Sequence, residues 1–68
     1  MKELDFVFNV NIFFYGEKYP YTVFGKIGET RHEVIMRAMD LITYIKENRK
    51  DLIYLYWTVH GERIGTAE

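Results

Sequence analysis

The sequence predicts an α+β fold in which one helix packs on one face of a four-stranded antiparallel sheet. Two segments, 4–15 and 53–60, sort their side chains into two faces at period two, which is the pattern of strands. Between them, residues 31–48 carry apolar side chains at helical spacing. The predicted order of elements is β-β-α-β-β and the predicted strand order is 2-1-3-4. The 68 residues are predicted to form a single domain, 1–68.

Composition excludes several classes of protein. Nine basic and ten acidic residues leave a net charge of −1, which excludes a basic protein that binds nucleic acid by bulk charge. The chain contains no cysteine and no serine, which excludes disulfides, thiolate metal sites and Ser or Cys nucleophiles. Its two histidines, His32 and His60, lie on different predicted elements without a metal-ligand spacing. We therefore expect no enzyme, no cofactor and no metal.

The longest apolar runs are 12–15 and 52–57, much shorter than the roughly 18 residues that a membrane-spanning helix needs. The first five residues carry both signs of charge and are not followed by a continuous apolar run. We therefore expect a cytoplasmic protein that does not bind membranes.

The first predicted strand, 4–15, is followed by a hairpin loop and a return strand at about 19–27. Large apolar residues occupy every even position of the first strand and are predicted to face the core: Leu4, Phe6, Phe8, Val10, Ile12 and Phe14. A four-residue loop, 15–18, would place Pro20 at a non-hydrogen-bonded site, and Pro20 indicates an edge strand. The same loop predicts four pairs across the hairpin: Phe14–Tyr19, Ile12–Tyr21, Val10–Val23 and Phe8–Gly25. Gly25 would face inward and let the helix approach the sheet closely.

The helix is predicted to begin after Thr30, because Thr30 and Glu33 have the spacing of a capping box. It is predicted to end near Asn48, where Asn48-Arg49-Lys50 supplies a stop signal and cations. One stripe is predicted to face the sheet: Val34, Ala38, Leu41, Ile42 and Ile45. On the opposite side, Glu33 and Arg37 are spaced for an ion pair.

The third strand is predicted to turn one face to the core and the other to solvent. Ile53, Leu55, Trp57 and Val59 form the predicted core face, and Tyr54, Tyr56, Thr58 and His60 the other. A tight turn at His60-Gly61-Glu62-Arg63 is predicted to start a short fourth strand, which would pair Val59 with Ile64 and Trp57 with Thr66.

One helix covers only one side of this sheet, and the uncovered side is rich in aromatic residues. We predict an interface there, with aromatic anchors at Phe13, Phe24, Tyr54 and Tyr56 and polar contacts from Asn9, Asn11 and His60. Asparagine is disfavoured in mid-strand and offers hydrogen bonds across an interface, which supports this interpretation. A simpler reading is that the aromatic residues pair across strands and only stabilise a small sheet.

The predicted function is that of a small non-enzymatic protein–protein interaction protein, an inhibitor, antitoxin-like protein or adaptor. The partner is itself or another protein, and the simplest assembly is a homodimer. The alternative is a single-stranded nucleic-acid-binding module that stacks bases on Tyr54 and Tyr56. Only the spacing of these two residues resembles the RNA-recognition-motif family, whose Gly-aromatic signature and element order are absent from this sequence.

Overall fold

A computed structural model describes residues 6–63, in which three strands and one helix follow in the order β-β-α-β. The strands are β1 (Phe6–Tyr15), β2 (Tyr21–Phe24) and β3 (Ile53–Arg63), and the helix is α1 (Arg31–Asn48). The strands form an antiparallel sheet in the order β2-β1-β3. The α+β class, the single helix and the central position of β1 are therefore confirmed.

The core lies between α1 and one face of the sheet, which we call the helix face. Val10 and Ile12 of β1 and Val34 of α1 are completely buried in it. Ten buried residues make up this core: Phe8, Val10, Ile12, Phe14, Val23, Val34, Ala38, Ile42, Ile45 and Leu52. The predicted core face of β1 is confirmed for Phe8, Val10, Ile12 and Phe14, whereas Phe6 is partly buried and Leu4 lies outside the described residues. The predicted helix stripe is confirmed, with Leu41 only partly buried at its margin.

The capping box fixes the start of α1 as predicted. The Glu33 N–H donates to Thr30 Oγ1 at 3.1 Å, and the Thr30 N–H donates to Glu33 Oε1 at 2.9 Å. The predicted Glu33–Arg37 ion pair is wrong, because the Glu33 carboxylate is used in the cap. Arg37 instead pairs with Glu29, with Nε 2.8 Å from Oε2.

The hairpin between β1 and β2 has the predicted register but a longer loop. Ile12 pairs with Tyr21 and Val10 with Val23, as predicted. β2 is only four residues long, so the predicted Phe14–Tyr19 pair does not form. The loop comprises residues 16–20, and Gly16 turns the chain with a φ of 101°.

The predicted turn at residues 60–63 is wrong, because β3 continues through it to Arg63. His60, Gly61, Glu62 and Arg63 pair with Asn9, Phe8, Val7 and Phe6 in turn. Gly61 is explained by packing: a Cβ there would lie 2.8 Å from Cε1 of the Phe8 ring. The sheet described by residues 6–63 is thus three-stranded, and the predicted fourth strand at 64–66 lies outside the described residues.

A β-bulge at Leu55 divides β3 into two parts with different facings. Phe13 pairs with Tyr56 but Phe14 pairs with Tyr54, so Leu55 is an extra residue on β3. Because side chains alternate along a strand, one extra residue exchanges the two faces for the residues that precede it. The predicted facing is therefore confirmed for Trp57 and Val59. It is wrong for Ile53 and Tyr54, which precede the bulge.

Candidate interaction surface

The side of the sheet opposite α1, which we call the open face, has no second layer over it in the part of the chain that the structure describes. Six of the seven predicted interface residues lie on it: Asn9, Asn11, Phe13, Phe24, Tyr56 and His60. The strand register places these residues in rows that run across the sheet. The rows show that the open face has a polar middle and an apolar end.

The polar middle consists of two neighbouring rows. Asn11 lies between Thr22 of β2 and Thr58 of β3, and Asn9 lies between Phe24 and His60. Phe24 is 68% exposed at the corner of this region, separated from the other aromatic residues by the row of Asn11. The predicted aromatic anchors therefore do not form one continuous surface.

The apolar end is a cluster that we call the aromatic patch, formed by Phe13, Tyr15, Ile53 and Tyr56. Phe13 and Tyr56 pair across the strands with ring centroids 4.7 Å apart and planes 29° apart. In the next row Tyr15 pairs with Ile53, and these two side chains are 69% and 60% exposed. Tyr56 is 53% exposed, so three of the four side chains present more than half their surface.

The bulge creates this patch. If β3 alternated regularly through Leu55, Ile53 would face the core, as the sequence predicts. Because Leu55 is bulged out of the ladder, Ile53 lies beside Tyr15 on the open face. Ile53 and Tyr15 are thus the exposed residues of the patch that the sequence analysis did not include. The available signal was the run of large apolar residues at 52–57, which has no polar position to indicate which set faces outward.

Tyr54 is the predicted interface residue that the structure places elsewhere. It lies on the helix face, edge-on to the Phe14 ring at 5.9 Å between centroids, with Lys46 Nζ of α1 5.7 Å from its own ring centroid. The bulge is the reason, since it pairs Tyr54 with a core residue of β1. Tyr54 and Tyr56 consequently do not form the shared platform that base stacking would require.

Asn9 and Asn11 have a role within the sheet. Thr22 Oγ1 donates to Asn11 Oδ1 at 2.7 Å, and the Gly25 N–H donates to Asn9 Oδ1 at 3.3 Å. The first bond ties β1 to the short strand β2 and the second ties it to the residue that follows β2, which explains two asparagines in mid-strand. The carboxamide oxygens are therefore already bonded, and the NH₂ groups are what these side chains can offer to a partner.

Charged side chains pair away from the middle of the open face. The Arg37 guanidinium hydrogen-bonds Glu29 and holds the pKa of that carboxyl below its ordinary value. The Arg49 guanidinium likewise hydrogen-bonds Asp51, in the turn before β3, and holds the pKa of that carboxyl below its ordinary value. The rows from Asn9 to Tyr15 carry no Asp, Glu, Lys or Arg, so covering them would remove no carboxylate, ammonium or guanidinium group from water.

Neither a protein-family model, nor a curated protein, nor a solved structure matches this chain. Between residues 6 and 63, no helix has both the length and the apolar character needed to cross a membrane. Within the same range, no group of three or more His, Asp or Glu side chains is arranged to hold a metal ion.

Proposed function

We propose that this protein is a small non-enzymatic interaction protein that associates through the aromatic patch, with a second copy of the same chain as its partner. The observation that carries the proposal is the exposure of Tyr15, Ile53 and Tyr56 side by side on a sheet face that no other part of residues 6–63 covers. An inhibitor, antitoxin-like protein or adaptor is the class of role that such a module suits.

The size of the patch supports an interface. Aromatic side chains carry about 150–250 Å² each, so the patch exposes on the order of 400 Å² of largely apolar surface. A patch of this size on so small a chain commonly marks a contact site. At about 25 cal/mol per Å², covering it contributes roughly 10 kcal/mol before the entropy of association is subtracted.

A second copy suits this surface because the open face is apolar at one end and polar but uncharged in the middle. Two such faces related by a twofold axis meet without opposing like charges. Sheets that pack face to face lie about 10 Å apart, a spacing that rings projecting from both faces can fill. The NH₂ groups of Asn9 and Asn11 then supply polar contacts beside the apolar ones.

No observation favours the nucleic-acid alternative. It rested on Tyr54 and Tyr56 sharing one face, and these residues lie on opposite faces. A base that stacked on Tyr56 would compete with Phe13, whose ring already stacks there.

Sedimentation equilibrium from micromolar to millimolar concentration tests the proposal. The variant Tyr15→Lys places a charge in the patch, and Tyr44→Lys makes the same change on α1, where Tyr44 is 63% exposed. We expect Tyr15→Lys to weaken the association at least tenfold and Tyr44→Lys to match the wild type, with both variants showing the wild-type far-UV circular dichroism. A folded Tyr15→Lys variant that associates as strongly as the wild type would show the proposal to be wrong.

A further inference from the structure

The two outer edges of the sheet differ in how well they are protected. β2 is four residues long, follows Pro20, and has the Phe24 carbonyl occupied by Arg37, whose Nη2 donates to it at 2.8 Å. Short length, proline and covered backbone groups are the usual ways in which proteins protect a sheet edge from another strand.

β3 has few of these protections. It is eleven residues long and, within residues 6–63, pairs only with β1. Its residues 53–61 include no Asp, Glu, Lys, Arg or Pro and are dominated by aromatic and β-branched types. The bulge at Leu55 interrupts the edge near its start, but the strand from Tyr56 onward is regular. Such an edge is a template for a further strand.

The direction of the backbone groups on β3 follows from one hydrogen bond. The Gly25 N–H donates to the Phe8 carbonyl at 2.8 Å, so even-numbered residues of β1 bond to β2 and odd-numbered ones to β3. Asn9 and Asn11 therefore bond to their partners His60 and Thr58. The alternating residues Trp57 and Val59 direct their N–H and C=O groups to the outer edge.

We infer that this outer edge binds the β3 strand of a second copy in antiparallel register, with the two Thr58 residues facing each other at the twofold axis. This register places Trp57 of each copy opposite Val59 of the other, and each such pair exchanges two backbone hydrogen bonds. All outward groups of Trp57 and Val59 are then satisfied.

The side chains in this register also match. On the helix face, the half-buried Trp57 meets Val59 of the second copy, an aromatic and β-branched pair of the kind that stabilises sheets. On the open face, Thr58 meets Thr58 and Tyr56 meets His60, so no like charges are opposed. The second copy is the preferred occupant because its own β3 supplies a strand of matching length and facing.

This inference does not rest on the proposed function, because edge pairing uses backbone groups at 57 and 59 whereas the proposed face contact uses the aromatic patch. Edge pairing extends the sheet to six strands and leaves both open faces on one side. If both contacts form, the assembly contains four chains.

The experiment compares chemically synthesised chains by sedimentation equilibrium. N-methylation of Val59 removes one outward N–H without altering the side chain or the bonds to β1. The control carries the same methyl group on Thr22, whose N–H points outward from β2. We expect a tetramer, four times the 8.2 kDa chain mass, for the wild type and the control. We expect a dimer, twice the chain mass, for N-methyl-Val59. N-methyl-Val59 combined with Tyr15→Lys is expected to be a monomer.

Each result separates the two interfaces. If N-methyl-Val59 keeps the wild-type mass while Tyr15→Lys lowers it, the edge inference is wrong and the face proposal stands. If only N-methyl-Val59 lowers the mass, the edge inference stands and the face proposal is wrong. A wild-type chain that is a monomer shows both to be wrong. A sample mixing ¹³C-labelled and unlabelled wild type gives a direct check without any variant. Edge pairing predicts a filtered NOE between the Thr58 Hα protons of the two copies, and its absence in an associated sample contradicts the inferred register.

Discussion

Tyr54 and Tyr56 lie on opposite faces of the sheet although they are two residues apart on one strand. Tyr54 pairs with the core residue Phe14, whereas Tyr56 stacks on the half-buried Phe13 of the open face. The extra residue Leu55 between them is the cause, since a single insertion exchanges inside and outside on one side of the bulge. The same exchange brings Ile53 to the surface and completes the aromatic patch.

Deleting Leu55 is expected to leave the protein folded. The deletion joins Tyr54 directly to Tyr56, and both keep their partners Phe14 and Phe13 in a regular ladder. We expect the free energy of unfolding, measured with urea, to change by less than about 1.5 kcal/mol, the scale of a tolerated change in packing. Deleting Thr58 is the matched control. It is expected to unfold the protein, because it exchanges the faces of the neighbouring residues without a bulge to absorb the change.

Gly25 is expected to tolerate a methyl group less well than Gly61. A Cβ at Gly25 would lie 2.2 Å from the Phe8 carbonyl oxygen and 2.9 Å from Val34 Cγ2, and the backbone oxygen cannot move without breaking the sheet. A Cβ at Gly61 would meet the edge of the Phe8 ring, which can rotate aside. We expect urea unfolding to show a loss of about 2–3 kcal/mol or more for Gly25→Ala and about 1 kcal/mol for Gly61→Ala. Equal losses would contradict this account of the two glycines.

Glu29 is expected to make stability depend on pH in the acid range. The Arg37 hydrogen bond lowers its pKa from the ordinary 4.5, so the folded state favours the carboxylate more than the unfolded state does. Its contribution is therefore complete above pH 4.5 and is lost as the pH falls through the lower folded pKa. Urea midpoints at pH 7 and pH 3 test this: Glu29→Gln should be less stable than the wild type at pH 7 and should lose less stability on acidification. Glu47→Gln, on the exposed side of α1, is the control and should follow the wild type.

Local signals in the sequence predicted the helix well. The Thr30–Glu33 capping box and the 3.6-residue period give α1 the observed bounds Arg31–Asn48, because both signals act within a few residues of the chain. The sequence predicted the core face of β1 equally well. The polar residues Asn9 and Asn11 identify the odd-numbered side chains as the ones that face away from the core.

The errors fall where a residue's role depends on a neighbour distant in sequence. In the sequence, Gly61 indicates a turn. In the structure, a glycine is favoured there because the Phe8 ring, more than fifty residues away along the chain, leaves little room for a Cβ. Arg37 had a partner at helical spacing in Glu33, yet the fold brings Glu29 and the Phe24 carbonyl closer.

By itself, then, the sequence determined the α+β class, the helix at 31–48 with its limits and the face of β1 that enters the core. Only the tertiary structure decided that β3 carries a bulge at Leu55, which residues form the aromatic patch and which edge of the sheet has no further strand on it within residues 6–63. The physical reason is that helix caps and clear alternation are local properties. In the run 52–57, by contrast, every residue is large and apolar, so both facings satisfy the local pattern equally. Pairing with β1 and packing against α1 select between them.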